Sequence, residues 1–398
     1  MSSEKYVSMK KSVNGFSFAN LGFFYGFGNA IINAVYSLVL FDIFQNSSIV
    51  GVYTSLSYGL VTLLALSTGE FFRRFTKTRI FYVSILTAGI FAFMMAFSIK
   101  PVTFIVLDQL SRLPWLLIGY SIPLFLADFS KDVGMNRLSG RYYTWLNIGA
   151  ALAPIIAMFF AENFGNRSAY FVTSAVMFIG FLYYGSYHLV SQEKPVKKLI
   201  PKRTVRSILN NVRLFFKNSN LRKAYLINCG YFASTIISSI YIPIIIVGEN
   251  GFSKEVLGYL LAACTLPYIF MATIMPIITK KIDKKICIAA GFLISAVLAV
   301  FASFVKGYAL LGIFVAWDFA RAMIEPLRDL LFFESVNKFN TSRLIGVYKT
   351  GNNVPRFIFP MVCAGVIAIT GVTSLVWIVS AIVAVISAIV AMSYSSKK

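Results

Sequence analysis

Residues 314–335 read "FVAWDFARAMIEPLRDLLFFES". Both ends are as apolar as membrane sequence, yet between them stand Asp318, Arg321, Glu325, Arg328 and Asp329. At 3.6 residues per turn all five fall within an arc about 100° wide, so one face of a helix carries them. Turned toward lipid they would cost on the order of 12–17 kcal/mol, even at about 2.5–3.5 kcal/mol each. That face must meet protein or water. The segment is therefore expected to be a membrane helix lining a polar interior.

Composition supports the membrane setting. The 398 residues are 58% hydrophobic and only 13% charged, with a mean hydropathy of +0.75, whereas soluble chains are about a quarter charged. Twelve apolar runs are predicted as spans, at roughly 16–41, 49–71, 80–99, 102–127, 143–161, 169–189, 224–247, 256–279, 286–304, 308–334, 344–369 and 371–393, most of them about 20 residues or longer. All should be helices, because an open sheet leaves backbone groups unpaired in lipid and the short alternating segments of a membrane barrel are absent. The first run is too long for a cleavable signal peptide and lacks a small-residue cleavage site.

The formal charge of +22 is explained by placement. Of 37 Lys and Arg, 28 fall on the termini and alternate loops, 4 on the opposite loops and 5 inside spans. By the positive-inside rule both termini are expected on the cytoplasmic side of a multi-pass protein of the cell membrane. The basic excess then reflects topology and attraction to the lipid bilayer, and no nucleic-acid partner is expected. Cys229, Cys264, Cys287 and Cys363 lie in or beside spans with no Cys-x-x-Cys pair, and His188 is the single histidine. Neither a metal site nor a cofactor is expected.

The chain repeats itself at a shift of 206. Arg137, Leu138, Gly140, Tyr142, Thr144, Asn147, Pro154 and Gly165 meet Arg343, Leu344, Gly346, Tyr348, Thr350, Asn353, Pro360 and Gly371. Upstream, Tyr25 meets Tyr231 and Asp128 meets Glu334. A duplicated chain is the simplest reading: an N-terminal six-helix half at 1–189, a basic linker at 190–223 and a C-terminal six-helix half at 224–398. Within the linker Ile208, Leu209, Val212, Phe215 and Phe216 recur at helical spacing beside Arg206, Arg213 and Lys217. That pattern fits a helix on the membrane surface, with a plain solvated linker as the alternative.

In this architecture the chain resembles the major facilitator superfamily, and the resemblance extends to short motifs. The family places Gly-x-x-x-Asp-Arg-x-Gly-Arg-Arg or Lys between its second and third spans. Here residues 69–79 read "GEFFRRFTKTR", with Gly69, Arg74 and Lys77 in matching places, Arg73 where the Asp stands and Thr76 where the second Gly stands. The counterpart "PIITKKIDKK" retains Lys281, Lys284 and Lys285 and also lacks the Asp. The acidic, basic and glycine pattern from Asp128 to Gly140, repeated from Glu334 to Gly346, is similar to the family's fourth-to-fifth loop. The resemblance implies an all-α membrane protein of twelve helices in two pseudo-symmetric halves, major facilitator-like. It also implies a cytoplasmic gate, to which Gly69, Arg74, Lys77, Asp128, Arg137, Lys281, Glu334 and Arg343 are assigned.

Polar stripes mark candidate substrate-binding or coupling residues. Asp108 and Arg112 are four apart in the fourth span, as an internal ion pair requires. Lys349, Asn352, Asn353 and Arg356 share a stripe of the eleventh span, at a depth where Arg356 could meet Glu325 of the tenth. Tyr25, Asn29, Asn33 and Tyr36 share a face of the first span, and Tyr231, Ser234, Thr235, Ser238 and Tyr241 one of the seventh; both sets are candidate cavity-lining residues. In the family the first, fourth, seventh and tenth helices line the central cavity. Binding between neighbouring helices is the other reading of these Asn, Ser and Thr residues.

The expected function is secondary active transport by alternating access, coupled to protons, of a small polar organic solute. A count of five cations against four carboxylates in the core favours an anionic or zwitterionic one. Two alternatives stand beside it: a drug/proton antiporter exporting amphiphilic compounds, suggested by 38 Phe and 21 Tyr, and a non-transporting sensor or assembly factor on a carrier fold. No enzyme is expected. The partners are a small-molecule substrate, protons and lipid, and the chain should work as a monomer.

Overall fold

The computed structural model describes residues 15–133, 135–186, 205–336 and 338–395. Among them are thirteen α-helices. The first six are α1 (Gly15–Phe44), α2 (Ser47–Arg74), α3 (Lys77–Ala96), α4 (Pro101–Val133), α5 (Met135–Phe164) and α6 (Ser168–Ser186). After them come α7 (Val205–Lys217), α8 (Ser219–Pro243), α9 (Lys254–Ile278) and α10 (Lys284–Phe304). The chain closes with α11 (Tyr308–Ser335), α12 (Lys338–Thr370) and α13 (Val376–Met392).

Among the described residues, ten helical segments are long and apolar enough to cross a membrane. α6 is apolar over a shorter stretch, Ser168–Tyr184, and α11 carries the five charges of the opening stretch. Their places in the repeat make them the remaining two spans, so the structure has the expected all-helical, twelve-span plan with α7 as an extra helix. Side chains such as Leu63, Leu182, Ile277 and Ile389 stand largely exposed, as they should where the surrounding solvent is hydrocarbon.

The repeat is visible in the elements themselves. α4 begins at Pro101 and α11 at Tyr308, while α5 ends at Phe164 and α12 at Thr370. Gly165 and Gly371, 206 apart, follow those two ends with φ of 85° and 70°, the left-handed conformation that lets a helix stop and turn without a Cβ penalty. Helix starts are capped locally. Thr76 accepts from the Arg79 N–H at 3.3 Å at the head of α3, and Asp283 from the Lys285 N–H at 3.1 Å at the head of α10. Thr76, where the family motif has its second glycine, thus serves as an N-cap.

The helices form two compact units. The first takes in the chain up to Val39, the stretch from Leu63 to the end of α6, and Lys254–Ala262; the second takes in Leu40–Thr62, α7 to Ser253, and the chain from Ala263 onward. In the first, Phe81, Ile85, Ile118, Ile122, Phe125, Tyr142 and Tyr184 make a buried core, with Phe81 edge-on to Phe125 at 5.4 Å. α1 and α5 touch through glycines: a Cβ on Gly26 would lie 2.5 Å from the Leu146 carbonyl oxygen, and one on Gly149 2.8 Å from that of Phe23. In the second unit Trp377 packs on Phe314 at 4.9 Å and edge-on to Trp317 at 5.4 Å. α8 runs on from Pro243 into a π-helical turn, Ile244–Glu249.

Candidate substrate and coupling site

In the first unit one group of charged residues stands within a span among the described residues. Asp108 and Arg112, a turn apart on α4, pair at 2.8 Å. The Tyr36 hydroxyl of α1 donates to Asp108 at 3.1 Å and accepts from Arg112, whose guanidinium also lies 4.9 Å from the Tyr36 ring centre. On the same face of α1 the Asn33 amide donates to Asn29. Tyr25 tilts against Trp115 at 6.1 Å. The expected pair and the expected stripe therefore come together through a tyrosine.

The second unit concentrates the rest on α11. Asp318 and Arg321, each buried, pair at 2.6 Å. The Tyr268 hydroxyl of α9 donates to Asp318 at 2.8 Å, and Arg321 donates to the Thr235 hydroxyl of α8. Two turns on, Arg328 donates to the Asn228 side chain, which in turn donates to Asn352 of α12 at 2.9 Å. Asp329 is shared: Tyr348 donates to it at 3.0 Å, Lys349 lies 3.4 Å away and Arg328 4.0 Å away. This is how the chain tolerates five charges in one span. Ion pairs, hydroxyls and amides from α8, α9 and α12 replace much of the water that Asp318, Arg321, Arg328 and Asp329 would otherwise need.

The expected contact between Glu325 and Arg356 is not made. Among the described residues neither has an opposite charge within 4.0 Å; Arg356 instead lies over Phe232 and Tyr58, at 5.0 and 5.4 Å from the ring centres. Equal depth on two helices does not place two side chains on facing sides, and depth was all that the spacing supplied. Asn353 sits half-buried beside this cluster on α12.

The α8 stripe divides. Tyr231 and Thr235 meet the α11 arginines, but the Ser238 hydroxyl is spent on the Thr235 carbonyl at 2.9 Å and Ser234 is buried. Tyr241 is fully buried where Gly51 of α2 leaves room, its hydroxyl 2.5 Å from a Cβ built there. Ser234, Ser238 and Tyr241 are packing positions in this conformation. Of the gate candidates, Arg74 and Lys281 are exposed and Lys77 is partly so, while Glu334 pairs with Lys284. Gly69 lies in the last turns of α2, and the side chains of Asp128, Arg137 and Arg343 lie outside the described residues.

Sequence reading missed Tyr58, Asn228, Tyr268, Trp317 and Tyr348. Asn228 carried a signal, as an amide in an apolar span, and Tyr348 and Trp317 adjoin charged positions. Tyr58 and Tyr268 carried none, because a tyrosine between apolar neighbours is common membrane sequence.

Long apolar helices in a duplicated chain, with charged stripes inside their spans, define a multi-pass membrane protein. The sequence profile of the Major Facilitator Superfamily matches residues 18–233 and again 224–397, and the chain belongs to that family. Among solved structures it is similar to a mutant of the nucleoside transporter NupG, with a TM-score of 0.77 at 14% identity over 96% of this chain and 100% of that one. It is also similar to a POT family transporter in complex with 5-aminolevulinic acid, with a TM-score of 0.76 at 13% identity over 96% of each chain. A mutant of the peptide transporter POT in complex with sulfate gives a TM-score of 0.75 at 12% identity over 95% of this chain and 93% of that one. No curated protein sequence matches the chain.

Proposed function

We propose that the chain is a secondary active transporter that works by alternating access and moves a small polar organic solute, anionic or zwitterionic, in exchange with or alongside protons. The observation that carries this reading is the charged stripe on α11, where Asp318 pairs with buried Arg321, Asp329 approaches Arg328, and partners come from three further helices. A buried charge whose partner leaves in one conformation makes that conformation costly until solute or proton replaces the partner. Such a network therefore ties occupancy to conformation. Glu325, half-buried with no ion pair within 4.0 Å among the described residues, is the carboxylate best placed to exchange a proton, and Asp318 is the second. The named substrates of the structural neighbours differ, and at this identity those proteins supply the fold alone.

The same reading places both termini and residues 190–223 in the cytoplasm, α7 on the membrane surface, the basic loops at a cytoplasmic gate, and the functional unit as a monomer. The test is flux in proteoliposomes under an imposed pH gradient, with Glu325→Gln and Asp318→Asn beside the parent. Gradient-driven uptake should be lost in at least one variant while exchange of solute for solute persists. Gradient-driven uptake at the parental rate in both would remove the coupling role. Failure of the parent to move any solute that binds it would favour a sensor or assembly factor on the carrier fold.

A further inference from the structure

Three arginines of the second unit are interleaved with four aromatic rings. The Arg321 guanidinium lies 4.4 Å from the centre of Trp317 and 5.3 Å from that of Tyr231. Arg328 comes next, 4.5 Å from Tyr231 and 4.6 Å from Phe232. Arg356 follows at 5.0 Å from Phe232 and 5.4 Å from Tyr58. Ring and cation alternate without a gap from α11 across α8 to α12 and α2, each contact within the roughly 6 Å over which a ring face attracts a cation.

The counter-charge thins along this ladder. Arg321 has Asp318 at 2.6 Å. Arg328 reaches Asp329 only at 4.0 Å and shares it with Lys349. Arg356 has neither carboxylate nor hydrogen-bond acceptor among the described residues, although it is half-buried within a membrane span. A guanidinium offers five N–H donors in its own plane. Phe232 and Tyr58 lie beside the Arg356 guanidinium at 5.0 and 5.4 Å, and its N–H edge meets no acceptor among the described residues. A flat fork held in place is the geometry that grips a carboxylate or phosphate through two parallel hydrogen bonds, and holding it in advance removes most of the ordering cost of binding. At the shift of 206 the counterpart of Arg356 is Ala150, and those of Arg328 and Arg321 are Ile122 and Trp115. The three arginines of the ladder belong to one repeat alone.

We propose that Arg356 is the receptor for an oxyanion, so that the solute carries a carboxylate or phosphate group which docks on the guanidinium at the open end of the ladder. This rests on the transporter reading and gives it a substrate class. The test uses the purified full chain, with inorganic phosphate, succinate and adenosine monophosphate as probes and succinamide and adenosine as their neutral controls. Binding is read by ligand-dependent thermal shift at constant ionic strength, which holds general screening fixed. The parent should be stabilised by at least one anion and not by its neutral control. Arg356→Gln, which removes an unpaired charge and should fold, should bind that anion at least tenfold more weakly, and Arg356→Lys, with the charge but no fork, should fall between.

Vesicles of phosphatidylcholine with and without phosphatidylglycerol separate a soluble anion from a lipid headgroup. If only the anionic lipid shifts the parent, the solute assignment is overturned. Equal anion affinity in Arg356→Gln and the parent, or no anion effect in the parent, overturns the receptor. If the anion binds through Arg356 but is never transported, the receptor stands and the transporter reading fails. If Arg356→Gln still transports the parent's solute with unchanged KM, the transporter reading stands and the receptor fails.

Discussion

At the scale of single residues, the decisive quantity is whether a buried charge has its partner. Asp318 and Arg321 are both buried and in contact at 2.6 Å, so Asp318→Asn should cost about 3–5 kcal/mol by leaving the guanidinium uncompensated. Adding Arg321→Gln should recover part of that loss, and thermal unfolding of the two single variants and the double variant in detergent would show it. Glu325 and Arg356 share no contact of that kind, so the losses of Glu325→Gln and Arg356→Gln should add to within about 0.5 kcal/mol. A strong coupling between them would mean that the pair forms in the population measured. The sequence announced which residues are charged and which helical face they share. It could not announce Tyr268 or Tyr58, whose roles come entirely from what packs beside them.

At the scale of elements, small residues and aromatic anchors decide where helices sit. Gly22 and Gly26 of α1 leave the backbone of α5 within reach, since a Cβ on either would stand 2.4 or 2.5 Å from a carbonyl oxygen of Tyr142 or Leu146. Gly26→Val must therefore push two helices apart, and overpacking of this kind costs about 1–3 kcal/mol. The expected outcome is a lower melting temperature of the purified protein with charged-site chemistry left in place, so that KM changes less than stability. On α7, Phe215 is fully buried, stacked 6.4 Å from Phe332 of α11 and 6.0 Å from Tyr225 of α8, while Leu209 is 61% exposed beside exposed Arg213 and Lys217. Phe215→Ala should cost about 3–5 kcal/mol and expose α7 to limited proteolysis at its basic residues. Leu209→Ala should leave stability in detergent unchanged and act only through the bilayer. Equal protease resistance of Phe215→Ala and the parent would show that α7 is held by something other than this ring.

At the scale of the whole molecule, charge bias in the loops carries the orientation. With 28 Lys and Arg on one set of termini and loops against 4 on the other, Ile200→Cys and Asn46→Cys, each in a background free of native cysteine, should label from opposite sides of intact cells with an impermeant reagent. Labelling of both from the same side would reverse the topology and with it the cytoplasmic gate. The duplication adds a contrast that bears on mechanism. The two repeats share helix starts, stops and the glycines that end α5 and α12, yet Arg321, Arg328 and Arg356 align with Trp115, Ile122 and Ala150. Scaffold is common to both repeats, and most of the charge belongs to the second.

The sequence by itself determined that the chain is a duplicated, all-helical membrane protein with the charges of its spans gathered on single helix faces. Hydrocarbon accepts no unpaired backbone group and few exposed charges, so apolar length and helical period are enough to decide spans and inward faces. Tertiary structure decided the partners. Which hydroxyl satisfies Asp318, that Arg356 meets rings in place of Glu325, and that Tyr241 packs against Gly51 all depend on rotation of one helix about its axis relative to the next. That rotation is set by close packing at a few glycines and aromatic rings, and no periodicity within a single helix records it.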